Sequence, residues 1–169
     1  MTTLPLVSRQ VPSPVGVLKL VASDAGLRAV LWELERPGRV VLDMEPQPAD
    51  SHLLLDAAAR QIEEYFAGER RQFELALDLV GTPFQRTAWL ALAEIPFGET
   101  VSYAHQASRI GRPTATRAVG AANGRNPVSI VLPCHRVVGV NGALTGFGGG
   151  LGAKRFLLDH ETATVSRHS

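Results

Sequence analysis

One sulfur nucleophile stands in this chain: Cys134, its only cysteine, within Pro133-Cys134-His135-Arg136-Val137. The thiolate is the reactive form of cysteine, and it becomes accessible near neutral pH when a base or a positive field stabilises it. His135 supplies an imidazole beside it and Arg136 a permanent cation. Taken alone, a free cysteine also fits a buried, inert position. A single thiol cannot form an internal disulfide or a Cys-rich zinc cluster, and the five histidines show no H-x-x-x-H spacing.

The chain that must position this thiol has 169 residues, 45% hydrophobic and 20% charged, enough for one large or two small domains with a real core. No basic start with an apolar run opens it, and no stretch is long enough to span a bilayer, so a cytoplasmic protein without a membrane partner is expected. The net charge of +1 hides an asymmetry: residues 1–99 carry 14 acidic and 9 basic side chains, residues 100–169 carry 2 and 8. No carboxylate falls between Glu99 and Asp159. The second half therefore suits a polyanion, with a solvated basic face as the plainer alternative.

The first eighty residues read as a small α/β scaffold. Val15 to Ser23 and Leu27 to Glu33 are strand-like around an Asp24-Ala25-Gly26 turn. Ser51 is placed to cap a helix with Leu55, Ala58, Ile62 and Phe66 on one face, ended by Gly68, and Phe73 to Leu79 alternates like a closing strand. A new unit opens near Gly81. Thr82 caps a helix with Pro83 at its first position and Phe84, Ala88 and Leu92 on one face. Ser102 starts a short helix to Ile110, Gly111 turns the chain, and Pro113 is expected to open a second helix ending near Asn123. That pair reads as a helix-turn-helix whose second member carries Arg117 among small residues; an ordinary helical hairpin would look the same. The apolar run Val128 to Leu132 delivers Cys134. Asn141-Gly142 signals a tight turn between strand-like residues, Gly146 to Gly150 a backbone-dominated loop, and Ala153 to His160 a last helix.

From Gly81 to Glu161 the chain resembles the O6-alkylguanine-DNA alkyltransferases, the methylated-DNA–protein-cysteine methyltransferases. The resemblance rests on Pro133-Cys134-His135-Arg136-Val137-Val138, Arg117-Ala118-Val119-Gly120, Asn126-Pro127, Ser102-Tyr103 and His160-Glu161, in order and at the right spacing. Residues 1–80 match loosely, as the variable domain of the family would. The fold implied is α+β: an RNase H-like N-terminal α/β domain over 1–80, then a helix-turn-helix, winged-helix-like alkyltransferase domain over 81–169.

The resemblance implies direct-reversal repair of double-stranded DNA carrying O6-alkylguanine, with O4-alkylthymine a further substrate, by a monomer without cofactor. The nucleotide is flipped out from the minor groove, which costs a few kcal/mol. Arg117 fills the vacated place, with Thr116, Ala118 and Gly120 beside it on the DNA. Tyr103 crowds the target phosphate and donates a proton to the base. Cys134 takes the alkyl group, His135 serves as base, Glu161 orients it and Asn126 braces the site. Backbone groups of Cys134 and Val137 read the guanine edge, Phe147 and Gly148 close over it, and Arg136 is structural.

Two positions depart from some relatives. Phe147-Gly148 replaces a Tyr-Ser pair, and Ser129 stands where other members can have proline, leaving pocket size open. No thiolate exists for the structural zinc of some relatives, so no metal is expected. The rivals are a non-enzymatic lesion-binding protein, which would lack the reactive cysteine, and a Cys-His hydrolase, which would need an oxyanion hole but not Arg117. A regulator would need a further domain, for which the chain has no room.

Overall fold

The computed structural model describes residues 5–168. Its N-terminal half is a four-stranded sheet, β1 (Val7–Val11), β2 (Leu18–Ala22), β3 (Leu27–Leu31) and β4 (Gln47–Pro48), in the order β3-β2-β1-β4. The first three strands run antiparallel, and β4 pairs parallel with β1. Both outer additions escaped sequence analysis, since Ser8, Arg9 and Gln10 hide the apolar period of β1 and β4 is two residues long.

Helix α1 (Leu53–Phe66) lays Leu55, Ala58 and Ile62 on the sheet. Its cap is His52, not Ser51: the imidazole accepts from Leu55 N at 3.3 Å. Gly68, at φ +79°, ends the helix as expected. Phe73 to Leu79 keeps its alternating half-burial but makes only one bridge, Leu27 to Leu77, so it runs beside β3 without becoming a strand.

The second half is helical. Helix α2 (Pro83–Leu92) starts from a reciprocal Thr82–Gln85 cap and buries Ala88, Trp89 and Leu92, with Phe84 only half-buried. The strand β5 (Val101–Ser102) leads into α3 (Tyr103–Arg109), capped by Ser102, and α4 (Thr116–Gly124) follows. Helix α4 begins at Thr116 rather than Pro113, because Arg112 to Ala115 closes a turn through Ala115 N→Arg112 O at 2.9 Å. Trp89 Nε1 donates to Ala122 O at 2.6 Å, and Gln106 and Asn123 exchange amide hydrogen bonds of 3.0 and 2.7 Å, locking α2, α3 and α4 together. Buried polar groups satisfied in this way specify one packing arrangement.

Beyond a one-turn 3₁₀ segment (Cys134–Arg136), β6 (Val137–Val138) pairs parallel with β5 in the register Val101–Val137 and Ser102–Val138. That pairing sets Tyr103 beside the cysteine turn. Asn141 and Gly142 do turn at positive φ, closed by Gly139 N→Ala143 O at 2.7 Å, but residues 143–147 form no strand, so no hairpin results. The final helix α5 (Leu151–Arg167) is longer at both ends than expected and carries Glu161 within it. The main core runs from Leu18, Leu20 and Ile62 through Trp89 and Leu92 to Val128, Leu132 and Cys134, and a smaller one gathers Leu6, Val21 and Ala29. Val30 N→Pro127 O at 2.8 Å stitches β3 to the second half.

Candidate active site

Cys134 is 5% exposed and His135 fully buried. The run that delivers them is no strand: Ile130 takes φ +75°, and Leu132 N donates back to Val128 O at 3.0 Å. Asn126 secures this tight bend from inside. Its Nδ2 donates to Leu132 O at 2.8 Å and its Oδ1 accepts from Val128 N at 3.1 Å.

Behind the thiol stands a saturated carboxylate. Glu161 Oε2 accepts from His135 Nε2 at 2.6 Å, Tyr65 OH at 2.6 Å and an Arg136 terminal nitrogen at 3.0 Å. Its Oε1 accepts from Arg136 Nε at 2.8 Å and Gly98 N at 3.1 Å. Gly98 is required there: at φ +82°, a Cβ would lie 2.7 Å from Val165 Cγ2. Burial pushes the Glu161 pKa up, but the bonds and charges of His135 and Arg136 outweigh it and hold the carboxyl well below the usual range. Burial lowers the His135 pKa more than Glu161 raises it, so the imidazole is neutral near pH 7. With an ionised acceptor, Nε2 must carry the proton. Nδ1 is then a free lone pair, and it is buried without a hydrogen-bond partner.

The resting sulfur is a thiol. Burial raises the Cys134 pKa, against the Asn126 amide, the Arg39 and Lys154 charges and the Ser129 hydroxyl, which favour the thiolate. Ser129 Oγ is itself buried with no partner at hydrogen-bond geometry. Lys154, 1% exposed, donates to Val137 O at 2.7 Å and Thr145 O at 3.4 Å, and its Nζ lies 6.0 Å from the ring centres of Tyr103 and Phe147. The Val137 carbonyl keeps a second lone pair for a ligand.

An open cleft of about 580 Å³ is lined by Tyr103, Thr116, Arg117, Gly120, Phe147 and Gly148, among others, and Tyr103 and Phe147 pack against the core that includes Cys134. Tyr103 OH shares a 2.7 Å hydrogen bond with Thr145 Oγ1. Ala118 is exposed on α4 outside the cleft lining, and Val137 is buried beneath. The chemistry-bearing residues therefore fall into two layers: Cys134, His135, Asn126, Ser129 and Glu161 inside, and Tyr103, Arg117 and the 147–148 loop at the mouth.

Three contributors had no sequence signal for a role. Tyr65, on α1, is held twice by α5: His160 Nε2 donates to its carbonyl at 2.7 Å, and its own hydroxyl reaches Glu161. Arg39 is buried, ion-paired with Glu35, and donates to Asn126 O at 2.9 Å. A Cβ on Gly148 would meet the Arg39 guanidinium at 2.9 Å, which accounts for glycine at this position. Lys154 stood out only as one more cation of a basic tract.

Residues 6–79 match the sequence model of the 6-O-methylguanine DNA methyltransferase ribonuclease-like domain, and residues 83–163 that of its DNA binding domain. The chain belongs to the 6-O-methylguanine DNA methyltransferase family. Among relatives, the methylated-DNA–protein-cysteine methyltransferase of Methanosarcina acetivorans is 44% identical over 149 residues, 88% of this chain and 94% of that one. The one from Mycolicibacterium paratuberculosis is 47% identical over 164 residues, 95% of this chain and 93% of that one. The crystal structure of Mycobacterium tuberculosis OGT in complex with DNA superposes with a TM-score of 0.84 at 42% identity, covering 93% of each chain. The α+β architecture expected for a methyltransferase of this family is thus the one observed. Among the described residues, no helix is long and apolar enough to cross a membrane.

Proposed function

We propose that this methyltransferase repairs alkylated double-stranded DNA by direct reversal, moving the alkyl group from O6 of guanine to Cys134 in one irreversible turnover. The observation that carries this reading is a buried thiol, next in the chain to the buried His135–Glu161 pair, in the core against which the cleft residues Tyr103 and Phe147 pack, with Arg117 lining the same cleft. The lesion oxygen is inaccessible inside a duplex, so the nucleotide must be extruded into the cleft. Arg117, exposed on α4, fills the vacated place in the stack, for which a planar guanidinium is suited. Thr116, Ala118 and Gly120 lie along the same helix against the DNA.

His135 Nδ1 removes the thiol proton through a water molecule, and Glu161 and its donors steady the imidazolium that results. The thiolate attacks the alkyl carbon, an S–C bond forms, and the C–O6 bond breaks with its electron pair left on guanine. Tyr103 donates the proton that neutralises the departing base. The product is a thioether, which water does not cleave, so each molecule acts once. Asn126 and Ser129 hold and polarise the thiol, while Val137 and the 147–148 loop bound the guanine. In this reading residues 1–80 are scaffold and residues 81–169 bind DNA and transfer the alkyl group, in a cytoplasmic monomer that acts on O6-alkylguanine and also on O4-alkylthymine.

The test is intact-protein mass after incubation with duplex DNA carrying one O6-methylguanine. A gain of about 14 Da, one CH₂, on Cys134 that stops at one equivalent is the expected result. Binding without a mass change would make this a lesion-binding protein, and the absence of both binding and mass change would favour hydrolase chemistry.

A further inference from the structure

The cleft over the thiol is not built by the C-terminal half alone. Arg36, from the connection after β3, lines it together with Arg117 and Arg125, and no carboxylate lies among the lining residues. Arg36 is exposed, and its side chain has no hydrogen-bond or ion-pair partner among the described residues. Its neighbours are firmly held. Trp32 packs edge-on against Phe147 at 5.3 Å, Arg39 reaches the carbonyls of Asn126 and Gly124, and Arg125 donates to Gly38 O at 3.2 Å. Glu35, the adjacent carboxylate, is already committed to Arg39. The segment 32–39 is thus clamped to the cleft rim on both sides of a single free cation.

We infer that segment 32–39 is a second DNA-contacting element, and that Arg36 meets a backbone phosphate beside the extruded nucleotide. An unpaired arginine on a fixed loop is ready for a charge-assisted, bidentate phosphate contact. Such a contact anchors and orients the duplex without reading its sequence. The N-terminal half is then more than the scaffold it is in the reading above and contributes directly to substrate binding. This rests on the repair reading above.

The deciding experiment is equilibrium binding to duplex DNA carrying one O6-methylguanine, across a salt series, for wild type, Arg36→Ala and Arg36→Lys. One lost phosphate contact should flatten the slope of log K against log salt by about 0.9 in Arg36→Ala, and weaken binding about three- to fivefold at low salt. Arg36→Lys should restore the slope. An unchanged slope in Arg36→Ala would overturn the assignment, as would a loss of affinity accompanied by a lower melting temperature that lysine does not rescue. Alkyl uptake is measured in parallel on wild type. Wild-type protein that binds the duplex without gaining mass would sink the repair reading, while the salt slope would still decide the fate of Arg36.

Discussion

The inner layer of the site and its outer rim follow opposite rules. Glu161 is 1% exposed and accepts five hydrogen bonds from four residues, three through buried side chains and one through the Gly98 backbone. Arg117 and Arg36 are exposed, with no side-chain partner among the described residues. Groups that move a proton gain from being fixed before the reaction, since reorganising dipoles during it raises the barrier. Groups that grip DNA gain from being unpaired, because phosphates and bases supply their partners on binding. The difference teaches that burial around a saturated Glu161 marks the chemistry here, with the His135 Nδ1 lone pair left free inside it, and that exposure with unmet valence marks recognition.

Substitutions can break this division, and the largest effect is expected at the sulfur. Cys134→Ala should abolish alkyl uptake, read by intact mass, while duplex affinity stays nearly unchanged. Residual transfer would mean another nucleophile. Next, Glu161→Gln removes the charge that Arg136 and His135 share, and breaking a buried pair in this way costs about 3–5 kcal/mol. Denaturant unfolding should show that loss, with transfer slowed as well. If stability were unchanged, the carboxylate would not be the structural hub its bonds imply.

Arg117→Ala belongs to the rim. It should slow repair in duplex DNA roughly tenfold or more relative to transfer from a free alkylguanine base, because flipping must be sustained only in the duplex. Equal losses on both substrates would remove Arg117 from base extrusion. Tyr65→Phe deletes one charge-assisted bond to Glu161 and should cost about 1.5–3 kcal/mol of stability. An unfolding midpoint equal to wild type would place that hydroxyl outside the hub.

The smallest effect is on pH dependence, and it belongs wholly to the inner layer. Glu161 has a folded pKa held below its unfolded value, so its contribution to stability is full above the usual carboxylate range and fades as pH falls below it. Buried neutral His135 acts in the same direction, losing its contribution as pH falls below the ordinary histidine range. Cys134, with a raised pKa, is a thiol at neutrality, so transfer should accelerate as pH rises toward the alkaline side. A transfer rate that falls over that interval would show that the thiolate is not the attacking form.

Much of the helical half could be foreseen, because its signals are local. Thr82-Pro83 and Ser102 are capping residues, and each starts a helix where it should. Pro113 misled because a turn through Arg112 and Ala115 competes with helix at that point. The sheet half was harder: β1 is held by β2 along its whole length and β4 only by its two-residue pairing with β1, and neither carries an apolar period of its own. Tyr65 and Arg39 were beyond sequence reasoning for the same cause. Their partners lie 96 and 87 residues away, and nothing in their neighbourhoods announces the contact.

By itself, then, the sequence determined which atoms are available for chemistry: one thiol, an adjacent imidazole, a distant glutamate and an acid-free basic tract. Residue type and chain neighbours suffice for that, since a nucleophile, a base and a charge asymmetry are properties of side chains. The tertiary structure alone decided how those atoms are tuned. Only packing could bury the thiol, surround Glu161 with donors from α1, the Cys134–Arg136 turn and the turn at Gly98, and bring Arg36 to the cleft. Desolvation and hydrogen bonding depend on distances between residues far apart in the chain, and those distances exist only after the fold has formed.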